Sequence, residues 1–358
     1  MVKKNKQIPG KSLDVGTGNF CVAYYDEEGV IQTSIIRDAF CVIEKDKHKI
    51  KMLNDRGIEP LIKDDKIYII GNKAVEYSNI FGNKYPLRRP LAKGVLNPEE
   101  KEAQFVIREI LKSILGEPRI ENEVVYFSVP AEPLDANFNQ TFHENKFMSL
   151  INGLGYDAKP INEAKCLVYG ELSDDDFTGI CISFGAGMAN VCISFESDTN
   201  GLEFSLTRPG KDPSKDLSYG CGDWIDKNAA VAIGKETHEI LDAKEEVDEK
   251  GNFVLNLMMP ENETHEAIQI YYRNLIRYLL ANIHNAISKM TNVPRFNKPI
   301  PIVLSGGTSK ARGFKELFTN ELNKYKFPFK ISEVRLASDQ LRAVATGALI
   351  AAVMEHEE

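Results

Sequence analysis

The chain writes one strand–turn–strand pattern twice, and the two copies lie close to half its length apart. The first runs Ser12-Leu13-Asp14-Val15-Gly16-Thr17-Gly18-Asn19, then Phe20–Tyr25, then the polar turn Asp26–Gly29. The second runs Ile180-Cys181-Ile182-Ser183-Phe184-Gly185-Ala186-Gly187, then Met188–Phe195, then the polar turn Glu196–Gly201. Each reads as strand, Gly-x-Gly turn, strand, polar turn, strand. A repeat of this length predicts two halves on one plan. At 358 residues the chain is also too long for a single core.

Helices separate the strands. Asn97 as cap, Pro98 in the first turn and the acids Glu99 and Glu100 predict a helix start. Val106, Ile107, Ile110, Leu111, Ile114 and Leu115 then recur at helical spacing until Gly116 and Pro118 stop the run. Glu123–Val129 reads as an apolar strand closed by Pro130. Residues 40–94 are polar with one clear strand, Lys66–Ile70, and read as a small insertion. Glu263–Met290 is the longest periodic segment and predicts a long buried helix leading into the strand Ile300–Leu304. Asp339–Met354 predicts a strongly apolar final helix. Strands alternating with helices imply an α/β architecture.

Composition removes several function classes. The 44 Lys and Arg against 52 Asp and Glu leave a net charge of −8, which disfavours nucleic-acid binding through bulk charge. No apolar run reaches membrane-spanning length, and no amphipathic N-terminal helix of the membrane-binding kind is visible. The basic start Met1–Lys6 has no apolar segment behind it, so it reads as a solvated tail rather than a signal peptide. Cys21, Cys41, Cys166, Cys181, Cys192 and Cys221 are scattered through apolar runs and read as core residues of a cytoplasmic protein. The six histidines form no paired spacing, so none is assigned to metal or catalysis.

The chemistry rests on three glycine turns that each follow a β-rich run: Asp14–Asn19, Ser183–Met188 and Leu304-Ser305-Gly306-Gly307-Thr308-Ser309. Glycine permits positive φ and lets backbone N–H groups approach a ligand. Successive amides in such turns make an anion-binding nest, and two nests opposed across a cleft would grip a polyphosphate. Asp14 could hold Mg²⁺ beside the first turn. The Walker and dinucleotide-binding glycine patterns are absent. Any one turn alone reads as a plain hairpin; three together, two of them in the repeat, point to a phosphate site.

The sequence resembles the actin/chaperone/sugar-kinase superfamily of ATPases, and within it bacterial actins of the MreB and MamK type. Asp14–Asn19 is similar to the first phosphate motif and Val129-Pro130-Ala131 to a strand end. Glu163–Gly170 is similar to the first connecting helix, Ser183–Asn190 to the second phosphate motif, and Leu304–Ser309 with Arg312-Gly313 to the adenosine motif. Tyr85–Arg88 and Lys93–Leu96 resemble the segments before the first long helix.

The resemblance implies two RNase-H-like (actin-fold) domains flanking a nucleotide cleft, each with a smaller inserted subdomain. Residues 1–155 with 338–358 would form the first, its insertion at roughly 36–95; residues 156–337 would form the second, its insertion at roughly 224–275. It implies ATP or ADP with Mg²⁺ in the cleft, and head-to-tail self-assembly into filaments, an interface that does not close. Glu163 would position the attacking water and Asp14 the metal. The nucleotide would meet Gly16, Thr17, Gly18, Asn19, Ser183, Gly185, Ala186, Gly187, Met188, Gly306, Gly307, Thr308 and Ser309, with Glu239 at the base.

Several positions depart from the family pattern. Ser183 stands where Asp opens the second motif, Gly187-Met188-Ala189-Asn190 replaces Gly-Thr-Thr-Asp, Ala164 replaces a Pro, and Asp242 stands where a Lys is expected. Fewer carboxylates to organise metal and water predict slow hydrolysis. Asp223 and Asp226 read as helix caps with Trp224 as an anchor; Glu245–Lys250 reads as a solvated face. A small-molecule kinase, a DnaK-type chaperone ATPase and a nucleotide sensor that binds without hydrolysis remain open on the same fold.

Overall fold

The computed structural model describes residues 8–81, 84–137, 140–196, 202–207, 220–289 and 296–357. The basic start of the chain and residues 197–201 of the second polar turn lie outside the described residues.

Both copies of the repeat fold as written. Strand β1 (Lys11–Val15) turns at Gly16–Gly18 into antiparallel β2 (Asn19–Tyr25), which pairs with antiparallel β3 (Ile31–Arg37). The other edge of β1 takes β9 (Val124–Val129) in parallel, and β9 takes β10 (Asp157–Asn162). In the second half, β11 (Gly179–Phe184), β12 (Ala189–Ser194) and β13 (Glu203–Leu206) repeat the antiparallel run. Strands β14 (Ile300–Ser305) and β15 (Ile331–Leu336) repeat the parallel additions. The order β3-β2-β1-β9-β10 is therefore matched by β13-β12-β11-β14-β15. Strands β11, β12 and β14 are buried at every position, which is why they read as mainly apolar without regular alternation; the buried polar residues among them are Ser183, Asn190, Ser194 and Ser305.

Helix α3 (Ala103–Leu115) lays Val106, Ile107, Ile110 and Leu111 on the first sheet, beside α4 (Gln140–Asn152). It ends at Gly116 as expected, but it starts later than its sequence signal. Asn97 closes a separate turn, accepting from Glu99 N at 3.1 Å and Glu100 N at 3.2 Å. Glu100 then pairs with Arg88 and accepts from Glu102 N, and a second turn, closed by Ala103 N on Glu100 O at 3.1 Å, leads into the helix. On the second sheet, α8 (Glu263–Ser288) and α9 (Phe314–Leu322) bury Tyr272, Leu275, Ile276, Leu279, Phe314 and Phe318. The cap of α8 is Asn262, whose side chain accepts from His265 N.

Between β3 and α3 lies a three-stranded sheet with its own small core. It is built from β4 (Phe40–Glu44), α1 (Lys47–Asp55), β5 (Leu61–Lys63), β6 (Lys66–Ile70) and α2 (Asn72–Phe81), followed by the two-stranded β7 (Leu91–Ala92) and β8 (Val95–Leu96). Only β6 was legible beforehand. Helices α6 (Cys221–Ile233) and α7 (Thr237–Glu245) occupy the corresponding region of the second half.

Two helices join the halves by exchange. Helix α5 (Glu163–Glu171) follows the last strand of the first sheet and packs on β11 and β12; α10 (Ala343–Glu357) follows the last strand of the second sheet and packs on β1 and β9. The two cross at Gly347, where a Cβ would lie 1.9 Å from Cys166 O. Cys166, Leu167, Val168, Val344 and Ala348 form the shared core there. All six cysteines are free and buried.

Candidate functional site

The two hairpin turns of the repeat face each other across a cavity of about 450 Å³, within the ~300–1,000 Å³ range of small-molecule sites. They share one geometry. Gly16 N donates to Asn19 O at 3.0 Å, and Gly185 N donates to Met188 O at 2.9 Å. The first glycine of each turn thus spends its amide inside the turn. Thr17, Gly18, Ala186 and Gly187 line the cavity, and their amides bond no other described residue. That leaves four donors around one space, the requirement for holding a polyanion. The turns also touch: a Cβ on Gly187 would sit 2.3 Å from Thr17 Oγ1 and 2.4 Å from Gly94 N. Glycine is needed here for close approach rather than for positive φ; of the glycines in the three turns, only Gly306 has one, at 89°.

The second turn is braced from behind. Gly222 N and Asp223 N at the start of α6 donate to Gly185 O and Ala186 O at 3.2 and 3.0 Å, and Thr308 Oγ1 donates to Gly185 O at 2.9 Å. The positive end of α6 therefore lies against the turn.

Two carboxylates stand at the floor. Asp14, at the end of β1, accepts from Ser128 Oγ at 2.8 Å, and Ser128 Oγ accepts from Val15 N at the same distance. Burial pushes the Asp14 carboxyl up to about 6. Glu163 opens α5 behind the cap Asn162. Its Oε1 accepts from Ser183 Oγ at 2.6 Å and its Oε2 from Asn190 Nδ2 at 2.7 Å. Burial, and after it the nearby Asp14 charge, push Glu163 up to about 8 against the pull of the Ser183 hydrogen bond. Burial accounts for the Asp14 shift, and burial together with the Asp14 charge for that of Glu163.

The far end is walled by Leu241, Phe253, Tyr272, Ala311 and Leu341, with Lys244, Glu245 and Lys310 among them. Lys244 Nζ donates to Asp226 Oδ1 at 2.7 Å. Burial pulls the Lys244 ammonium down, but the Asp226 carboxylate more than offsets that and keeps it charged. Two ion pairs cross from one half to the other at the rim. Arg89 binds both oxygens of Asp223 at 2.9 Å, and Arg37 Nη2 meets Glu245 Oε1 at 2.9 Å.

Residues 10–352 match the Volactin family. The chain belongs to the Volactin family. A comparison with curated proteins finds no match. Among solved structures, the MamK double helical filament is 18% identical, covers 96% of this chain and 98% of its own, and superposes with a TM-score of 0.67. MreB 5 of Spiroplasma citri bound to AMPPNP is 15% identical over 98% of both chains, with a TM-score of 0.66. The ethanolamine utilization protein EutJ from Carboxydothermus hydrogenoformans is 15% identical over 98% of this chain and 92% of its own, with a TM-score of 0.51. This Volactin-family chain has the actin-like ATPase fold, as its motifs implied.

Of the residues singled out in the sequence, the cavity gathers Asp14, Gly16, Thr17, Gly18, Asn19, Glu163, Ser183, Gly185, Ala186, Gly187, Met188, Gly306, Gly307 and Thr308. It leaves out two. Ser309 turns inward and donates to Gly306 O at 2.8 Å. Glu239 lies away from the cavity, where its carboxylate accepts from Glu236 N and closes a capping box at the start of α7. Lys244 and Glu245, one turn further along α7, occupy the wall instead. The cap reading of Asp223 and Asp226 is overturned: α6 has no side-chain cap at Gly220, and both carboxylates are held by cavity-lining cations. Glu245–Lys250 is exposed throughout, in keeping with its reading as a solvated face, and Glu245 also stands at the cavity rim. Arg89, Lys244, Tyr272 and Lys310 carried no sequence signal, because each reaches the cavity from a segment whose position only the folded chain fixes.

Proposed function

We propose that this chain is an actin-like ATPase that binds ATP with Mg²⁺ between its halves and polymerises head to tail in a nucleotide-dependent way. The observation that carries the reading is the pair of touching turns, which bring around one cavity four amides that bond no other described residue. The triphosphate would lie against Thr17–Asn19 and Gly185–Gly187, and the adenosine between Gly306–Thr308 and the Lys244, Glu245 and Tyr272 wall. MamK and MreB structures of the same fold are described as a filament and as bound to AMPPNP or ADP.

The donor set fits Mg²⁺. Asp14 is a hard oxygen donor at the cavity floor, and the Glu163 carboxyl beside it adds a second acidic group. Among the described residues no group of three or more His, Cys, Asp or Glu side chains could hold a metal by itself, so Asp14 would share the ion with phosphate and water. Bound there, Mg²⁺ would supply neutralising charge to the phosphates. Glu163 orients water and takes its proton; Gly187 and Thr17 keep bulk solvent out by contact.

Reduced buried cysteines agree with a cytoplasmic setting, and no described helix is long and apolar enough to cross a membrane. The test is sedimentation and light scattering with and without ATP and Mg²⁺, together with calorimetric titration of ATP. Nucleotide-dependent pelleting is expected. Protein that binds no nucleotide and stays monomeric at high concentration would overturn the reading.

A further inference from the structure

The two residues that stand where the family's second phosphate motif carries a carboxylate, Ser183 and Asn190, are the two that hold Glu163. Ser183 and Asn190 are register partners across the β11–β12 hairpin, so they project on one face of it. That face meets the first residue of α5. Both are out of solvent, Ser183 at 2% exposure and Asn190 at 0%, and each takes a different oxygen of the carboxylate.

The direction of each bond is fixed by what lies behind it. Asn190 Oδ1 accepts from Ala131 N at 3.2 Å, which leaves Nδ2 as the atom facing Glu163. Asn190 therefore ties three segments together: the β12 strand, the Val129–Ala131 strand end and the start of α5. Glu163 is fixed from its backbone side as well, since Asn162 Oδ1 accepts from Ala164 N at 2.9 Å and Lys165 N at 3.2 Å. A carboxylate held at both oxygens and at its Cα has its plane set. Each oxygen has a further lone pair, so the held group still accepts from a water in the cavity.

We propose that Ser183 and Asn190 are positioning residues for nucleotide hydrolysis, which fix the Glu163 carboxylate so that it receives a proton from the attacking water. The proposal rests on the reading above that this cleft binds and hydrolyses ATP. In that step the water oxygen bonds to the terminal phosphorus as the bridging P–O bond breaks. The electron pair leaves with the diphosphate, and one water proton passes to Glu163 before release to solvent. The absent family carboxylates are then not lost function. A carboxylate at position 183 would stand against Glu163 at the present 2.6 Å contact, two like charges in one buried place. The hydroxyl and amide supply donors where acids would supply repulsion.

The experiment separates binding from turnover in Ser183→Ala, Ser183→Thr, Ser183→Asp and the unaltered chain. ATP·Mg²⁺ affinity is read by calorimetry, hydrolysis by phosphate release, and folding by thermal melting. S183A is expected to lower turnover about 10- to 100-fold while changing affinity less than about 3-fold, the signature of lost positioning. S183T keeps the hydroxyl and is expected to recover turnover to within about 3-fold of the unaltered chain. S183D is expected to lower turnover at least as far as S183A. Turnover unchanged in S183A, or raised in S183D, would overturn the proposal. So would an unaltered chain that binds ATP and never hydrolyses it, which leaves the binding reading standing. A chain that binds no nucleotide overturns both.

Discussion

Arg89 reaches out of the segment before β7 and grips both carboxylate oxygens of Asp223 on α6, each at 2.9 Å. It is a bond between the two halves, made at the rim of the cavity they share. The pair is partly open to solvent, 34% on the Arg side and 23% on the Asp side, so its worth is nearer that of a surface pair than of a buried one. Both bonds come from one guanidinium nitrogen, Nη1, so the contact is a single forked donor on the carboxylate and not the two-nitrogen clamp.

Removing it should loosen the closed cleft. Arg89→Ala is expected to speed nucleotide release by no more than about 5-fold, the ~0–1 kcal/mol of a partly exposed pair. Stopped-flow release of a fluorescent ATP analogue reads this. Arg89→Lys keeps a single charged donor for Asp223 and should fall between the parent and the alanine variant; an unchanged release rate in Arg89→Ala would mean the pair does not hold the cleft shut.

Gly187→Ala should wedge the turns apart. The added methyl meets Thr17 Oγ1 at 2.3 Å and Gly94 N at 2.4 Å, both on the opposite half. Overpacking of this kind costs about 1–3 kcal/mol, here charged to closure. Nucleotide affinity is expected to fall about ten-fold or more, while the nucleotide-free protein keeps its circular dichroism and melts close to the parent. Calorimetry and melting on the same samples make the comparison.

His143 gives acid conditions a specific target. Its Nδ1 accepts from Leu96 N at 3.1 Å, its ring lies 4.8 Å from that of Phe147, and its Nε2 has no partner among the described residues. Burial pulls the imidazole down to about 4. The folded chain therefore refuses a proton that the unfolded chain accepts near pH 6.5, so stability falls as pH drops from about 6.5 to 4. The linkage is worth at most about 3 kcal/mol. His143→Gln keeps an acceptor for Leu96 and does not titrate; the gap between parent and variant in urea unfolding should grow across that window and vanish above pH 7.

Glu163 works in the opposite sense. A buried carboxyl raised to about 8 costs stability once it ionises, so its contribution is full below its unfolded value and lost as pH rises through 8. Glu163→Gln can still bond both Ser183 and Asn190, because the hydroxyl is free to accept. The nucleotide-free variant is expected to melt a few degrees above the parent at pH 8.5 and level with it near pH 5. It should also hydrolyse ATP far more slowly.

What could be read beforehand follows from how local each signal is. The β1–β2 and β11–β12 hairpins announce themselves because strand, turn and strand are adjacent in sequence and the turn residues are glycine. The long helix α8 is legible from periodicity alone; its Asn262 cap is seen only in the folded chain. The start of α3 was misplaced because Asn97 satisfies its own local turn, a competition that side-chain capping invites. The cavity wall was the least legible part. Arg89 and Asp223 lie 134 positions apart, and nothing in either neighbourhood marks the other. Glu239 looked like a wall residue by its place in a motif, yet one helical turn decides which acid of α7 faces inward. Ser183 and Asn190 were visible as departures, but their service to Glu163 appears only once α5 is laid across the β11–β12 hairpin.

The exchange of α5 and α10 has a consequence for how this molecule can be taken apart. Because the terminal helix seals the sheet formed by the chain's opening strands, no single scission yields a self-sufficient N-terminal fragment: β1, β2 and β9 would lose the cover that α10 provides. The lobes are thus separable in architecture yet not in manufacture, and an excised front portion should need the last helix supplied, covalently or as a free peptide, before it becomes a stable body.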